Sequence, residues 1–398
     1  MKRKVYMKNA EENLKVCLVT WYGSNNYGTN LQAYALYTVL RSKGIHVDMI
    51  RPFCGRKKFH QYPGQQRELR SKCVALIKKV LGIRKPEQVR QTKIMKFLKN
   101  EFCFTPLVTC PKDIELLNKQ YDKYLTGSDQ IWNPYNLDTF YMLDFVKENQ
   151  KKIAYSSSIA VSRIPEEKQN LYKKYLSSFS AIFCREETGS KMLSALTGKT
   201  VKTVLDPVLL LDENSWIQFS HKGSLVNRIS VSIPYIFCYF IGDKDFEWKA
   251  LKTIKEQYGI NRVIVFSVAP PTCKIKGYEY LQSADIYDFV WFLHHATYVV
   301  TDSFHNVAMS LKLKKDFVAL MRCKEDQKSE NSRMYDFLAS FGLEFKIYNP
   351  NCADYLSPVP YERVYPQLEI RIKECTNELI NKLNDLSSSY KCNFLVQD

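Results

Sequence analysis

Short apolar runs alternate with helical patterns along most of this chain. Residues 15–22 form an apolar run of strand length, and residues 29–42 place apolar side chains at the spacing of a helix buried on one side. A second strand is predicted over residues 46–50. A strand, a helix and a strand in this order predict a βαβ unit with parallel strands.

The same alternation continues to residue 206 and starts again after residue 229. The further predicted strands are 121–125, 152–156, 181–184, 201–205, 229–241, 262–268, 298–300 and 317–321, and the further helices are 165–179, 188–196, 246–258, 286–296 and 331–341. We therefore predict an α/β protein with two Rossmann-like domains, residues 14–206 and 229–364, and a cleft between them. A C-terminal helix and tail occupy residues 365–398.

Polar turns follow the predicted strands. In the first domain these turns are Asn25-Asn26-Tyr27, Ser128-Asp129-Gln130, Ser156-Ser157-Ser158 and Arg185-Glu186. Because the carboxyl ends of parallel strands lie at one edge of a sheet, we expect the turns to form one rim. Each turn, taken alone, is equally consistent with loop chemistry: Asp129 can cap its turn, and Arg185 can form a surface salt bridge.

The second domain contains a comparable turn. The apolar run 298–300 ends at Thr301-Asp302-Ser303, and His305 stands where the next helical pattern begins. Helix N-termini at this edge of a sheet bind anions, and a histidine exchanges protons near neutral pH. From the pattern alone, a plain helix cap with a surface histidine explains the turn equally well.

The composition is that of a globular protein. Apolar residues make up 45% and charged residues 25% of the 398 residues. We find no leading apolar segment typical of a signal peptide and no run of about 18 apolar residues that would span a bilayer. The 12 cysteines are scattered, without a C-x-x-C motif. We therefore expect a cytoplasmic protein with free thiols, no structural metal and no cofactor.

Most of the net charge of +17 is concentrated in one segment. Residues 51–100 hold 15 lysines and arginines against two glutamates, and residues 68–83 add an apolar stripe at helical spacing. This basic helical insertion is either a solvated surface or a contact to an anionic membrane. We do not expect a nucleic-acid partner, because the segment has few aromatic residues and contains no known reader motif.

Several motifs resemble, in order, those of the polysaccharide pyruvyl transferase family. They are Asn25-Asn26-Tyr27-Gly28, Gly127-Ser128-Asp129-Gln130-Ile131-Trp132-Asn133, Arg185-Glu186, Asp206-Pro207-Val208, Thr301-Asp302-Ser303-Phe304-His305 and Asn331-Ser332-Arg333. The resemblance covers residues 15–345 and implies a glycosyltransferase-B-like fold. It also implies transfer of an enolpyruvyl unit from phosphoenolpyruvate to a sugar of a surface-polysaccharide precursor, which leaves a pyruvate ketal and phosphate.

The resemblance also implies site residues. Arg185 and His305 are expected to bind the donor or transfer its proton, and Asp129 is a candidate base for the sugar hydroxyl. The candidate substrate-binding residues are Asn25, Asn26, Tyr27, Ser128, Gln130, Ser303 and Arg333. The chain departs from the family at two positions: Ser303 stands where some members have arginine, and Asn306 where glycine is common. Arg333 is a candidate replacement for that arginine.

The expected partners are phosphoenolpyruvate and a sugar or lipid-linked oligosaccharide acceptor. Because such acceptors are membrane-bound, we expect residues 51–100 to hold the protein peripherally at the inner face of the membrane. The alternative is a nucleotide-sugar-dependent glycosyltransferase of the same architecture. Against this alternative, the sequence offers no convincing acidic pair for a ribose and no diphosphate-binding loop.

Overall fold

Two parallel β-sheets organise the computed structural model, which describes residues 14–51, 85–242, 244–269, 271, 274–322 and 331–385. The strands of the N-terminal sheet are β1 (Lys15–Val19), β2 (His46–Met49), β3 (Lys123–Thr126), β4 (Lys152–Ser157), β5 (Ala181–Cys184) and β6 (Lys202–Thr203). Their spatial order is β2-β1-β3-β4-β5-β6, and every neighbouring pair is parallel. The predicted rim is therefore confirmed, because β1, β3, β4 and β5 are consecutive neighbours.

The C-terminal sheet repeats this architecture. Its strands are β7 (Tyr235–Phe240), β8 (Arg262–Ser267), β9 (Glu279–Tyr280), β10 (Tyr298–Thr301) and β11 (Asp316–Ala319). They follow the order β11-β10-β7-β8-β9 and are all parallel. The central strands of each sheet, such as β3, β4 and β7, are buried on both faces, as is typical of parallel sheets. The structure thus confirms an α/β fold with two Rossmann-like domains of the glycosyltransferase-B type.

Helices cover both sheets. They are α1 (Tyr27–Ser42), α2 (Pro86–Glu101), α3 (Pro111–Gln120), α4 (Glu166–Leu176), α5 (Glu187–Thr197), α6 (Pro207–Leu210), α7 (Glu213–Ser220), α8 (Asp245–Tyr258), α9 (Ile286–His295), α10 (Phe304–Lys312), α11 (Ser332–Ala339) and α12 (Tyr361–Asn384). Short 3₁₀ turns lie at Thr139–Met142, Asn149–Lys151, Glu344–Lys346 and Asp354–Leu356. None of the described helices is long and apolar enough to cross a membrane.

The structure differs from the prediction at the crossover between the domains. The strand predicted over 229–241 begins only at Tyr235, since Pro234 has no N–H for a sheet hydrogen bond. The crossover itself, for which we predict no elements, holds α6 and α7. The side chains of Asp206 and Asp212 start these two helices by accepting backbone N–H groups.

Part of the basic insertion bridges the two domains. Residues 52–84, with the predicted apolar stripe, lie outside the described residues, but α2 is described. Lys93 Nζ on α2 lies 2.8 Å from both Ser224 Oγ and Ser283 O. Arg90 is buried and donates to the backbone carbonyls of Ser267 and Val268 at the end of β8. These two cations of the basic segment therefore face the C-terminal domain.

The last helix, α12, returns to the N-terminal domain. Sγ of Cys375 accepts the backbone N–H of Leu205 at 3.5 Å, and Glu378 forms an ion pair with Lys202. Beyond the helix, the carbonyl of Asp385 accepts Lys123 Nζ at 3.0 Å. The C-terminal segment thus belongs structurally to the first half of the chain.

Candidate functional site

The carboxyl edges of the two sheets face each other at the point where the strand order of each sheet reverses. In the N-terminal sheet this switch point lies between β1 and β3, and in the C-terminal sheet between β7 and β10. The hydroxyl of Tyr239 on β7 donates to Asn26 Oδ1 at 3.0 Å and lies 3.3 Å from the backbone N of Tyr27. Ligands of open α/β sheets bind at such points, and here the two points face each other.

Arg185, Asp206 and His305 form the centre of this junction. Arg185 follows β5, Asp206 precedes α6, and His305 is the second residue of α10. Arg185 Nη1 donates to Asp206 Oδ2 at 2.9 Å and lies 3.2 Å from His305 Nε2. His305 Nε2 lies 3.5 Å from the same Asp206 oxygen. All three side chains are buried.

Nε2 of His305 lies between two groups of opposite hydrogen-bonding capacity. The guanidinium of Arg185 can only donate a hydrogen bond, and the carboxylate of Asp206 can only accept one. The tautomer of the ring therefore decides which of the two residues Nε2 bonds. Nδ1 makes no hydrogen bond to any residue that the structure describes.

Gly28 permits His305 to enter the N-terminal domain. A Cβ atom at Gly28 would stand 2.6 Å from His305 Nδ1 and 2.7 Å from His305 Cβ, closer than any side chain allows. Gly28 lies in the first turn of α1, directly after the turn of Asn25 and Asn26. The histidine is therefore held by backbone from one side and by Arg185 from the other.

Asp129 is held ionised next to this centre. The hydroxyl of Thr29 donates to Asp129 Oδ2 at 2.7 Å, and the N–H of Gln130 donates to Oδ1 at 2.8 Å. Burial would raise the pKa of Asp129, but the positive charges of His305 and Arg185, together with these hydrogen bonds, hold it below its ordinary value. Asp129 has a left-handed backbone conformation, with φ of 68°.

Asp206 is the shared acceptor of the centre. Besides Arg185, the hydroxyl of Ser128 lies 3.0 Å from Asp206 Oδ2, and the N–H of Val208 donates to Oδ1 at 3.1 Å. Burial would raise the pKa of Asp206. The interactions with His305, Arg185 and Val208 outweigh burial and lower that pKa well below the usual range. Ser128, a predicted substrate-binding residue, is thus joined to the centre through Asp206.

Two further arginines, buried Arg333 and partly buried Arg322, lie near this centre. Arg333 on α11 is buried, and burial together with the like charges of Arg322 and Arg185 lowers the pKa of Arg333 to about 9, although the carboxylates of Asp129 and Glu186 act in the opposite direction. Arg322 lies over Asp302, with Nε 3.9 Å from Oδ2. Arg333 is therefore a buried cation on which burial and the neighbouring arginines act against the positive charge.

Arg185 keeps one edge of its guanidinium unused. Its Nε and Nη2 are buried and make no hydrogen bond within the described part of the chain. Its Cζ lies 4.3 Å from the centre of the Phe304 ring, which fixes the plane of the guanidinium. Nε and Nη2 form the side-on fork that matches the two oxygens of a carboxylate or phosphate.

The two positions that depart from the family pattern also contain unsatisfied polar groups. Ser303 precedes α10, but its Oγ is buried and has no partner among the described residues. Asn306 is 1% exposed, and neither polar atom of its amide has a partner in the same set. Ser303 occupies the N-cap position of α10, but its side chain makes no capping hydrogen bond. Unpaired buried polar groups are rare in native proteins and are typical of sites that a ligand completes.

Some residues of the motifs have clear structural roles. Glu186 Oε1 accepts hydrogen bonds from the hydroxyl of Ser158 and from two backbone N–H groups, those of Ile159 and Ala160. Asp302 accepts the N–H groups of Ile241 and Gly242 and so joins the ends of β10 and β7. These two carboxylates shape the rim from which Arg185 and His305 extend.

The remaining predicted residues lie around the turn after β1. Asn26 Oδ1 accepts the N–H of Gly28 and thereby caps α1. Tyr27 is fully buried against three aromatic rings of the C-terminal domain, and its hydroxyl donates to Ala284 O at 3.0 Å. Asn25 is partly buried with an unpartnered Oδ1, and Gln130 is partly buried beside Asp129. Tyr27 thus anchors the turn to the other domain.

Three residues that contact the site residues were not predicted from the sequence: Thr29, Asp206 and Arg322. The Asp206-Pro207 pair after a strand was a signal for Asp206, because proline after an N-cap aspartate starts a helix. Thr29 and Arg322 gave no such signal, since their partners are distant in sequence. No group of three or more histidine, cysteine or acidic side chains in the described ranges is arranged to hold a metal ion.

Comparison with known proteins identifies the family. The family model described as polysaccharide pyruvyl transferase matches residues 26–323. No curated protein sequence matches the chain. Among solved structures, UDP-GlcNAc 2-epimerase from Neisseria meningitidis bound to UDP-GlcNAc shares 10% identity, with a TM-score of 0.45 over 93% of this chain and 99% of its own.

Two further structures are similar at the same level. UDP-GlcNAc 2-epimerase from Methanocaldococcus jannaschii, in complex with UDP-GlcNAc and UDP, has 12% identity and a TM-score of 0.47, covering 93% of this chain and 99% of its own. The wall teichoic acid polymerase TagF has 10% identity and a TM-score of 0.45, covering 92% and 90%. The family match spans well over half of the sequence and includes Asp129, Arg185 and His305. The chain is therefore a member of the polysaccharide pyruvyl transferase family.

Proposed function

We propose that this protein transfers a pyruvyl group from phosphoenolpyruvate to a sugar of a surface-polysaccharide precursor and forms a cyclic pyruvate ketal. The observation that carries the proposal is the unused Nε–Nη2 edge of buried Arg185 next to His305. Phosphoenolpyruvate has a carboxylate and a phosphate, and a planar guanidinium fork binds either group through two hydrogen bonds.

A second cation compensates the second anionic group of the donor. Arg333 is buried, and the charges of Arg185 and Arg322 act on it. In our proposal Arg333 replaces the arginine that some family members have at the position of Ser303. The hydroxyl of Ser303, which has no partner among the described residues, donates to the same donor molecule.

In the proposed reaction His305 acts as the general acid. The negative charge of the bound donor, together with Asp206 at 3.5 Å from Nε2, favours the doubly protonated ring. The Nδ1 proton then passes to the methylene carbon of phosphoenolpyruvate, which becomes the methyl group of the product. The positive charge that develops on the neighbouring carbon makes this carbon the target of a nucleophile.

Asp129 acts as the general base in the second half of the reaction. One sugar hydroxyl attacks the electron-poor carbon and loses its proton to the Asp129 carboxylate. A second hydroxyl of the same sugar attacks that carbon, its proton passes to the departing phosphate, and the bond between the carbon and the phosphate oxygen breaks. The products are the ketal and hydrogen phosphate. The proton held by Asp129 replaces the one that His305 gave up, so every atom of the two substrates is accounted for.

The test is incubation of the full-length protein with phosphoenolpyruvate and a panel of lipid-linked or p-nitrophenyl sugars. We expect phosphate release that depends on an acceptor, together with an increase in acceptor mass. Consumption of UDP- or GDP-sugars with inert phosphoenolpyruvate would instead establish the glycosyltransferase alternative.

A further inference from the structure

A second set of unpartnered polar atoms is carried by α2, by the turn after β1 and by the segment 282–284, which contacts both α2 and α1. Within the described residues, four side-chain atoms there are buried and make no hydrogen bond: Asn25 Oδ1, Arg90 Nε, Gln91 Oε1 and Gln282 Nε2. Arg90 and Gln282 are at least nine-tenths buried as whole residues. None of these residues belongs to the Arg185–Asp206–His305 centre.

Side-chain contacts connect the segments that carry these atoms. Gln91 Nε2 lies 3.4 Å from Gly23 O in the turn that also carries Asn25. The guanidinium of Arg90, on the same turn of α2, lies 5.7 Å from the centre of the Tyr27 ring. The contact with Gly23 O orients the amide of Gln91, because a carbonyl oxygen can only accept; Oε1 is therefore the unused atom.

The segment that carries Gln282 contacts the same region from the C-terminal domain. Its neighbour Ser283 accepts Lys93 Nζ of α2 through its carbonyl at 2.8 Å. The next carbonyl, that of Ala284, accepts the hydroxyl of Tyr27 at 3.0 Å. The segment carrying Gln282 is therefore fixed against both α2 and the first turn of α1.

The four atoms form a mixed set of hydrogen-bonding groups. Arg90 Nε and Gln282 Nε2 can only donate, whereas Asn25 Oδ1 and Gln91 Oε1 can only accept. Phosphoenolpyruvate near neutral pH offers acceptors alone, so the two amide oxygens would remain unpaired and would repel it. A hydroxyl group both donates and accepts, and a saccharide presents several hydroxyl groups in fixed positions.

We propose that Asn25, Arg90, Gln91 and Gln282 form a subsite for the hydroxyl groups of the acceptor saccharide. The identification of the saccharide as an acceptor rests on the proposed function. The location agrees with it, because the turn that holds Asn25 leads directly to Gly28, against which His305 packs. A saccharide bound at this turn lies beside the donor-binding centre.

The experiment uses two changes at the subsite and one control in the full-length protein. Gln282→Glu keeps the shape of the side chain but removes its donor, and Gln91→Ala removes the acceptor from a partly exposed position. Gln367→Ala, on the exposed side of α12, is the control. Thermal denaturation checks folding, and either subsite variant is sufficient if the other one unfolds.

Two measurements separate the subsite from the reaction. Binding of p-nitrophenyl hexosides and N-acetylhexosaminides, without phosphoenolpyruvate, is followed by saturation-transfer NMR. If the protein catalyses the reaction, the KM for the sugar and the KM for phosphoenolpyruvate are also determined. We expect each subsite change to weaken sugar binding at least ~10-fold, the scale of one lost hydrogen bond, and to leave the KM for phosphoenolpyruvate unchanged.

The outcomes distinguish the two proposals. Sugar binding by the wild type that is lost in the subsite variants supports the subsite, even if phosphoenolpyruvate proves inert and the proposed function fails. Equal sugar affinity in the wild type and both variants overturns the subsite, as does a wild type that binds none of the sugars.

Discussion

Arg185 and His305 belong to different domains, yet Nη1 of the arginine lies 3.2 Å from Nε2 of the histidine. The first residue follows a strand of the N-terminal sheet, and the second lies in the first turn of a helix beyond the C-terminal sheet. The proposed donor site therefore exists only when both domains are in place, and each residue can be tested separately.

Removing either side chain should abolish most of the turnover. We expect Arg185→Ala and His305→Ala each to lower kcat at least ~10²-fold, the usual scale for an electrostatic or acid–base group. Arg185→Lys should remain impaired, because an ammonium group lacks the planar fork. Arg163→Ala, which removes an exposed ion pair with Glu166, is the control. Near-normal kcat in a folded alanine variant would exclude that residue from the site.

A single methyl group at Gly28 should displace His305. The added Cβ would lie 2.6 Å from His305 Nδ1, so the ring or the helix must move. We expect Gly28→Ala to lower kcat about 10- to 100-fold, in line with the sensitivity of catalysis to misplacement by about 1 Å. The melting temperature serves as the internal control, since alanine is a better helix former than glycine. An active Gly28→Ala variant would show that this close approach is dispensable.

Phosphoenolpyruvate should stabilise the folded protein, and Arg333 should be required for much of this effect. A ligand that binds only the native state raises the melting temperature, and an anion relieves the unfavourable surroundings that lower the pKa of Arg333 to about 9. We expect Arg333→Gln to lose most of the shift that saturating phosphoenolpyruvate produces. Arg363→Gln, an exposed position on α12, should retain it. Equal shifts in both variants would remove Arg333 from the donor site.

Glu247 should make the stability of the C-terminal domain depend on pH. Burial and the nearby Asp302 raise the pKa of Glu247 to about 7, against the opposing effects of Lys244 and Arg322. An acid whose pKa is higher in the folded state stabilises the fold at pH values below its ordinary pKa, and this contribution is lost as the pH rises through 7. Glu247→Gln should therefore melt near the wild-type temperature at pH 5 and above it at pH 8.

The control for this prediction lies on the same helix. Glu256→Gln changes an exposed glutamate of α8 and should follow the wild type at both pH values. A Glu247→Gln variant that is equally destabilised at pH 5 and pH 8 would mean that hydrogen bonding, not charge, explains the role of the residue.

The basic insertion should bind anionic membranes. Residues 51–100 carry 15 lysines and arginines against two glutamates, and each well-placed cation contributes about 1 kcal/mol near an anionic leaflet. We expect flotation with anionic but not neutral vesicles, and weaker binding as salt increases. Charge reversal at Lys72, Lys78, Lys79 and Arg84 should abolish it while activity on soluble acceptors persists. Equal recovery with both vesicle types, or none, would contradict membrane attachment.

The rim of the site could be predicted from the sequence, because the end of a strand is a local feature of the chain. An apolar run that ends in polar residues locates a strand end, and parallel strands collect such ends at one edge, so Arg185, Asp129 and His305 were identifiable. The same reasoning could not assign Asp206 as the acceptor that joins Arg185 and His305. These partners are 120 residues apart, and no local pattern reports which strand ends face each other across two domains.

The contact of α2 with the C-terminal domain could not be predicted from the sequence for a related reason. Periodicity indicates which side of a helix is buried but not which element covers that side. Arg90 and Lys93 therefore looked like part of a basic surface, although the carbonyls that accept their hydrogen bonds lie about 180 residues further along the chain. Tyr27 is a similar case, since its motif suggested ligand contact and its ring is enclosed by the opposite domain.

The return of α12 to the N-terminal sheet has a consequence for the folding of this protein during its synthesis on the ribosome. The six strands of that sheet are synthesised by residue 203, but the contacts to Lys123, Lys202 and Leu205 come from the last part of the described chain. During most of translation the first domain therefore lacks its contacts with α12. A chain whose translation stops before α12 contains all the strands of both sheets, but its first domain lacks the helix that packs against it.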